Sequence, residues 1–141
     1  MFRIAHISDL HCGSPYFVPD LMERAIMEIN ELEPEIVICS GDLTAYGFKP
    51  EYAEAKAYLD RLDCKKLVVV PGNHDSRNVG YIHFEELFGD RNSVHQIGPV
   101  TIVEPMTVAT GRPACARASA SAARPGGSSE PEIIAANVSR M

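Results

Sequence analysis

The sequence predicts an α/β fold with a mostly parallel sheet, followed by a disordered tail. Three observations predict it. Short β-branched apolar runs alternate with amphipathic stretches between residues 2 and 70; each run ends in a polar loop; and after Val103 the chain turns to Ala, Ser, Gly, Pro and Arg without periodicity. At 141 residues and 45% hydrophobic content, the chain has the size of one domain and enough apolar surface to bury a core.

Residues 2–7, FRIAHI, read as a buried strand closed by Gly13, Ser14 and Pro15. From Pro19, PDLMERAIMEINEL repeats apolar residues at Leu21, Ala25, Ile29 and Leu32, an amphipathic helix with Pro and Asp at its start and Pro34 as its stop. IVICS at 36–40 is a second strand, running into Gly41 and Asp42. Tyr52, Ala55, Leu59 and Leu62 mark a second helix, and KLVVV at 66–70 a third strand that opens into PGNHD at 71–75. Strand, helix, strand, helix, strand in this order implies parallel strands with right-handed crossovers, so the three strand ends lie side by side. A short helix near 82–88 follows, then SVHQIGPVTIV, two strands joined at Gly98 and Pro99. Residues 1–103 are expected to form the folded unit and residues 104–141 the tail.

The net charge is −6, and it belongs to the folded part: residues 1–103 carry 9 Lys and Arg against 16 Asp and Glu. An acidic body disfavours nucleic acid as the main partner. Cys12, Cys39, Cys64 and Cys115 form no C-x-x-C pair, which argues against a disulfide framework or a zinc knuckle and for a reducing compartment. With no apolar run long enough to cross a bilayer, the expectation is a cytoplasmic protein that does not engage membranes.

Each of the three strand ends delivers the same kind of residue: Asp9 and His11 after the first, Asp42 after the second, and Asn73, His74 and Asp75 after the third. The crevice beyond the carboxyl ends of parallel strands is where such sheets bind ligands, so these groups are expected to converge. Three carboxylates gathered there repel one another unless cations lie between them. Mixed oxygen and imidazole donors suit Mn²⁺, Fe or Zn²⁺, and a carboxylate such as Asp42 can bridge two ions about 3.5 to 4 Å apart. Gly41 and Gly72 allow the sharp turns at the strand ends. Tyr46 and Arg77 follow the second and third motifs, where they either touch substrate or serve as ordinary loop residues. His6 and His95, inside strands, read as structural, and Cys12 and Cys39 as buried packing.

D-L-H at 9–11, G-D-L at 41–43 and G-N-H-D at 72–75, in this order, resemble the calcineurin-like metallophosphoesterases, and D-L-H with G-D-L-T is most similar to their cyclic-nucleotide phosphodiesterase branch. The resemblance covers residues 2 to about 103. It implies the N-terminal half of an αββα sandwich and two divalent metal ions, Mn, Fe, Zn or Mg. It further implies Asp9 and His11 on the first ion, Asp42 bridging both, Asn73 on the second, His74 contacting phosphate or the leaving oxygen, and Asp75 orienting the His74 ring. The reaction implied is hydrolysis of a small phosphate ester.

The family completes its metal spheres with a histidine after glycine and a later G-H-x-H. No GH dipeptide occurs in this chain, and His6, His83 and His95 do not fill the gap. The composition after Glu104 is that of a shifted reading frame in GC-rich coding sequence. The sequence therefore leads to two expectations: a phosphodiesterase impaired by missing ligands, or a truncated or frame-shifted remnant that binds metal weakly and hydrolyses nothing. Either way, absent later strands are expected to leave sheet surface uncovered and to favour self-association.

Overall fold

The computed structural model describes residues 2–97 and 100–103, together with the backbone of 119–122 and 132–137. Its centre is a four-stranded parallel sheet in the order β3-β2-β1-β7, formed by β1 (Arg3–Ser8), β2 (Ile36–Cys39), β3 (Lys66–Val69) and β7 (Glu132–Asn137). The crossovers are helices α1 (Pro19–Glu31) and α2 (Lys49–Leu59). A 3₁₀ turn, Arg77–Val79, leads into α3 (Gly80–Phe88). The second sheet is antiparallel, β4-β5-β6, made by β4 (Val94–Ile97), β5 (Val100–Val103) and β6 (Ser119–Ala122).

Strand alternation divides the core into two layers. Ala5 and Ile7 of β1 and Val37 and Cys39 of β2 face the helices, where they pack with Met22, Ile26, Ile29, Tyr52, Ala55, Leu59 and Phe84. The intervening Ile4, Ile36, Ile38 and Val68 face the other way and pack with Val100 and Ile102 of β5. Helices on one face and a second sheet on the other give an α/β/β stack, as expected of the N-terminal half of an αββα sandwich. In α1 the buried stripe is Met22, Ala25, Ile26 and Ile29. This shares Ala25 and Ile29 with the expected Leu21–Ala25–Ile29–Leu32 row, but Met22 and Ile26 complete the buried face while Leu21 and Leu32 lie at its half-buried margins.

Within residues 104–141, expected as a disordered tail, Ser119–Ala122 pairs antiparallel with β5 and Glu132–Asn137 pairs parallel with β1, in register from Arg3↔Glu132 to Ser8↔Asn137. EIIAAN contains two β-branched residues, and the β1 edge offers unpaired peptide groups that a short strand can satisfy. The rest of the expected tail lies outside the described residues.

Candidate metal centre

Beyond β1 and β2 the chain keeps its backbone ladder while leaving regular strand geometry. Asp9 N donates to Gly41 O at 3.0 Å, His11 N to Asp42 O at 2.9 Å, Cys12 N to Leu43 O at 2.9 Å, and Ala45 N to Cys12 O at 3.0 Å. The two loops are zipped together, and the turns this demands fall on Asp9, His11 and Asp42, whose φ angles are 60°, 52° and 52°. Non-glycine residues with left-handed backbone are uncommon and collect at functional sites. Here three of the residues singled out from sequence carry that conformation.

The third loop is clamped onto this pair from below. Asp75 is fully buried, and its carboxylate accepts from Gly72 N (2.8 Å), Leu43 N (3.1 Å), Thr44 N (2.9 Å) and Thr44 Oγ1 (2.8 Å). Burial pushes its carboxyl above the ordinary range, and the four donors pull against that shift. Tyr52 Oη donates to the Asp75 carbonyl at 2.7 Å, anchoring the loop to α2. Gly41 is required by contact as well as by its φ of 97°: a Cβ there would lie 2.6 Å from the Gly72 Cα.

With the loops so fixed, Asp42 Oδ1 accepts from His74 N at 2.9 Å. His11, Asp42 and His74 bring one donor atom each to within 4.8 Å of one another, and the two imidazoles meet edge to face with centroids 4.7 Å apart. Asp9 Oδ1 lies 3.7 Å from His11 Nε2, beside this group. Asn73 stands exposed in the turn between Gly72 and His74. One carboxylate and two imidazoles, with a second carboxylate adjoining, fit a borderline divalent ion. His6 and His95 lie apart from this group, hydrogen-bonded to Ser40 Oγ at 2.7 Å and Ser93 Oγ at 2.6 Å.

Asp75 does not orient the His74 ring. His74 Nδ1 donates instead to the Ala45 carbonyl at 2.7 Å, and Nε2 accepts from Arg77 Nη2 at 3.3 Å. These partners assign the Nδ1–H tautomer. The reason for the difference is burial: the Asp75 oxygens are consumed by the peptide groups of 43, 44 and 72. Thr44 and Tyr52, the other members of this buried network, were not anticipated. Tyr52 appeared in the sequence only as a helix-stripe residue, and no pattern marks a backbone carbonyl such as that of Ala45 as a histidine's partner.

An open cleft of about 540 Å³ lies over His11 and His74, with Tyr16, Phe17, Tyr46 and Arg77 along its walls. The family model described as calcineurin-like phosphoesterase matches residues 2–117. The chain belongs to the calcineurin-like phosphoesterase family. Among curated proteins it is 34% identical over 92 residues to a probable glycerophosphodiester phosphodiesterase GpdQ of Arcobacter nitrofigilis, a match covering 59% of this chain and 33% of that protein. The chain thus spans about a third of the length of this phosphoesterase relative. Among solved structures it is similar to a Vps29 mutant from Entamoeba histolytica, with 20% identity, a TM-score of 0.44, and coverage of 71% of this chain and 45% of that one. No helix among the described residues is long and apolar enough to cross a membrane.

Proposed function

We propose that the chain carries the first half of a binuclear phosphodiesterase site, for metal-dependent hydrolysis of small phosphodiesters of the cyclic-nucleotide type. The observation that carries this reading is the meeting of His11, Asp42 and His74 within 4.8 Å at the ends of parallel strands. Family membership and the named activity of the curated relative support the reaction class. In this reading Asp9, His11, Asp42 and the amide oxygen of Asn73 would hold the divalent ions. A bound divalent ion supplies Lewis acidity, lowering the pKa of water and offsetting charge that develops on phosphate.

The remaining work falls to side chains. Asp9 and Asp42 supply the negative charge that attracts cations into the cleft. His74, fixed through Nδ1 by the Ala45 carbonyl, turns the lone pair of Nε2 toward Arg77, on the wall of the cleft, as the atom positioned to accept a proton there. Asp75 acts on the geometry of the loops and not on the ring.

Hydrolysis of bis(p-nitrophenyl) phosphate with added Mn²⁺ tests the proposal. The wild-type chain is expected to exceed its Asp42→Asn variant by at least about tenfold, the loss expected when metal affinity or charge neutralisation is compromised. Equal rates in the two proteins would overturn the enzymatic reading. Mn²⁺ binding by calorimetry with no Asp42-dependent hydrolysis would instead establish a chain that binds metal without turnover.

A further inference from the structure

Arg24, Arg61 and Arg91 each hold a carboxylate, those of Glu28, Glu23 and Glu85. Arg77 holds none among the described residues. Its Nη2 is 3.3 Å from His74 Nε2 and its Nη1 3.4 Å from the Ala45 carbonyl, both neutral acceptors at distances beyond the usual range for N–H donors. A guanidinium presents five N–H donors, so most of this one's capacity is unused. Of the described residues lining the cleft over His11 and His74, Arg77 is the one Lys or Arg.

The backbone beneath it is an independent sign. Asn78 and Val79 follow Arg77 with φ of 46° and 59°, two successive left-handed residues, the second β-branched. This conformation is held in place on both sides. Asn78 Nδ2 donates to the Tyr46 carbonyl at 2.9 Å, Arg77 N donates to His74 O at 3.2 Å, and Gly47 packs so closely that a Cβ would lie 3.1 Å from the Arg77 carbonyl carbon. The fold maintains an unfavourable turn whose outcome is a guanidinium aimed at the imidazole of the metal group.

We propose that Arg77 is the phosphate-binding residue of the cleft: its fork takes the non-bridging oxygens of a phosphate ester, exchanging its long contacts with His74 and Ala45 for charge-assisted bonds. This inference rests on the phosphoesterase reading above and adds to it the residue that recognises the anion. An acidic protein needs such a group, because a phosphate approaching Asp9 and Asp42 otherwise meets like charge. The planar fork also matches phosphate in a way that a lysine ammonium does not.

The test is a calorimetric titration of inorganic phosphate into the full chain, with and without saturating Mn²⁺, for wild type, Arg77→Met and Arg77→Lys. Mn²⁺ titrations without phosphate and thermal melts accompany each protein. Arg77→Met is expected to weaken phosphate binding roughly 10- to 100-fold and Arg77→Lys by a smaller factor, as loss of charge-assisted hydrogen bonds does, with Mn²⁺ affinity and melting unchanged. If Arg77→Met fails to fold, the Arg77→Lys comparison decides. Phosphate affinity unchanged within about twofold in the folded variants overturns the proposal, as does wild-type protein that binds phosphate in neither condition, or a parallel loss of Mn²⁺ affinity. Arginine-dependent phosphate binding in a chain that takes up no Mn²⁺ would sustain this proposal while removing the metal reading beneath it.

Discussion

Asp75 and Asp42 stand at the same edge of the sheet, on neighbouring loops, and the protein uses them in opposite ways. Asp75 is fully buried with both oxygens engaged by four donors from residues 43, 44 and 72. Asp42 is half-buried; its Oδ1 accepts from His74 N, and it joins His11 and His74 in the one described group of three donors close enough for a shared ion. The difference separates scaffold from site. A carboxylate saturated by peptide groups has nothing left to give a cation, whereas one held by a single backbone donor on a strained turn retains acceptor capacity facing solvent.

Paired substitutions put this contrast to the largest test. Asp75→Asn exchanges an acceptor oxygen for an NH₂ that faces peptide N–H groups, leaving buried donors without partners. We expect a loss of about 3–5 kcal/mol in urea unfolding, a large share of the stability of a small domain. Asp42→Asn keeps an oxygen for His74 N and tolerates positive φ, so its unfolding midpoint should shift by no more than about 1 kcal/mol while Mn²⁺ affinity falls. Equal destabilisation by the two variants would erase the distinction between an upper tier that forms the site and a lower tier that serves as its scaffold.

The upper tier was legible in the sequence and the lower one was not. His11, Asp42 and His74, which the structure brings together, could be picked out because each follows a β-branched run, and alternation with helices fixes all three strand ends at one edge. That logic needs only periodicity and the handedness of crossovers. Asp75 was noticed for the same reason but given the wrong partner, since whether a carboxylate reaches a ring or the peptide groups of the adjacent loop depends on burial, which spacing does not encode. Thr44 and Tyr52 carry no signature beyond strand-end and helix-stripe positions. The pairing of EIIAAN was not legible because it depends on the edge of β1, 129 residues earlier in the chain.

A smaller change probes how firmly the lower tier is anchored to the helices. Tyr52 is fully buried, and burial pushes its phenol well above the ordinary range, so it remains a donor to the Asp75 carbonyl at any ordinary pH. Tyr52→Phe keeps the ring within the α2 stripe and removes only that bond. The expected cost is about 1–2 kcal/mol, one buried carbonyl left without its partner, read from urea unfolding. If the loss instead approached that of Asp75→Asn, the anchor to α2 and not the clamp across the loops would be the main support of the site.

The smallest effect is expected at the turn that aims Arg77, and it has the opposite sign. Val79 sits at φ 59° and ψ 21° and is about half exposed, so its side chain gains little from burial while its Cβ opposes the backbone. Val79→Gly removes a left-handed penalty of roughly 1–2 kcal/mol and adds a glycine entropy cost of roughly 0.5–1 kcal/mol. The net gain, at most about 1.5 kcal/mol, should raise the melting temperature by up to about 6 °C. A turn kept only for stability would have been relieved in this way already. The same variant should therefore weaken phosphate binding by a few fold, because freeing residues 78 and 79 widens the range of directions in which the guanidinium points. A more stable variant that binds phosphate as tightly as wild type would show that the strain at Val79 serves neither the scaffold nor the site.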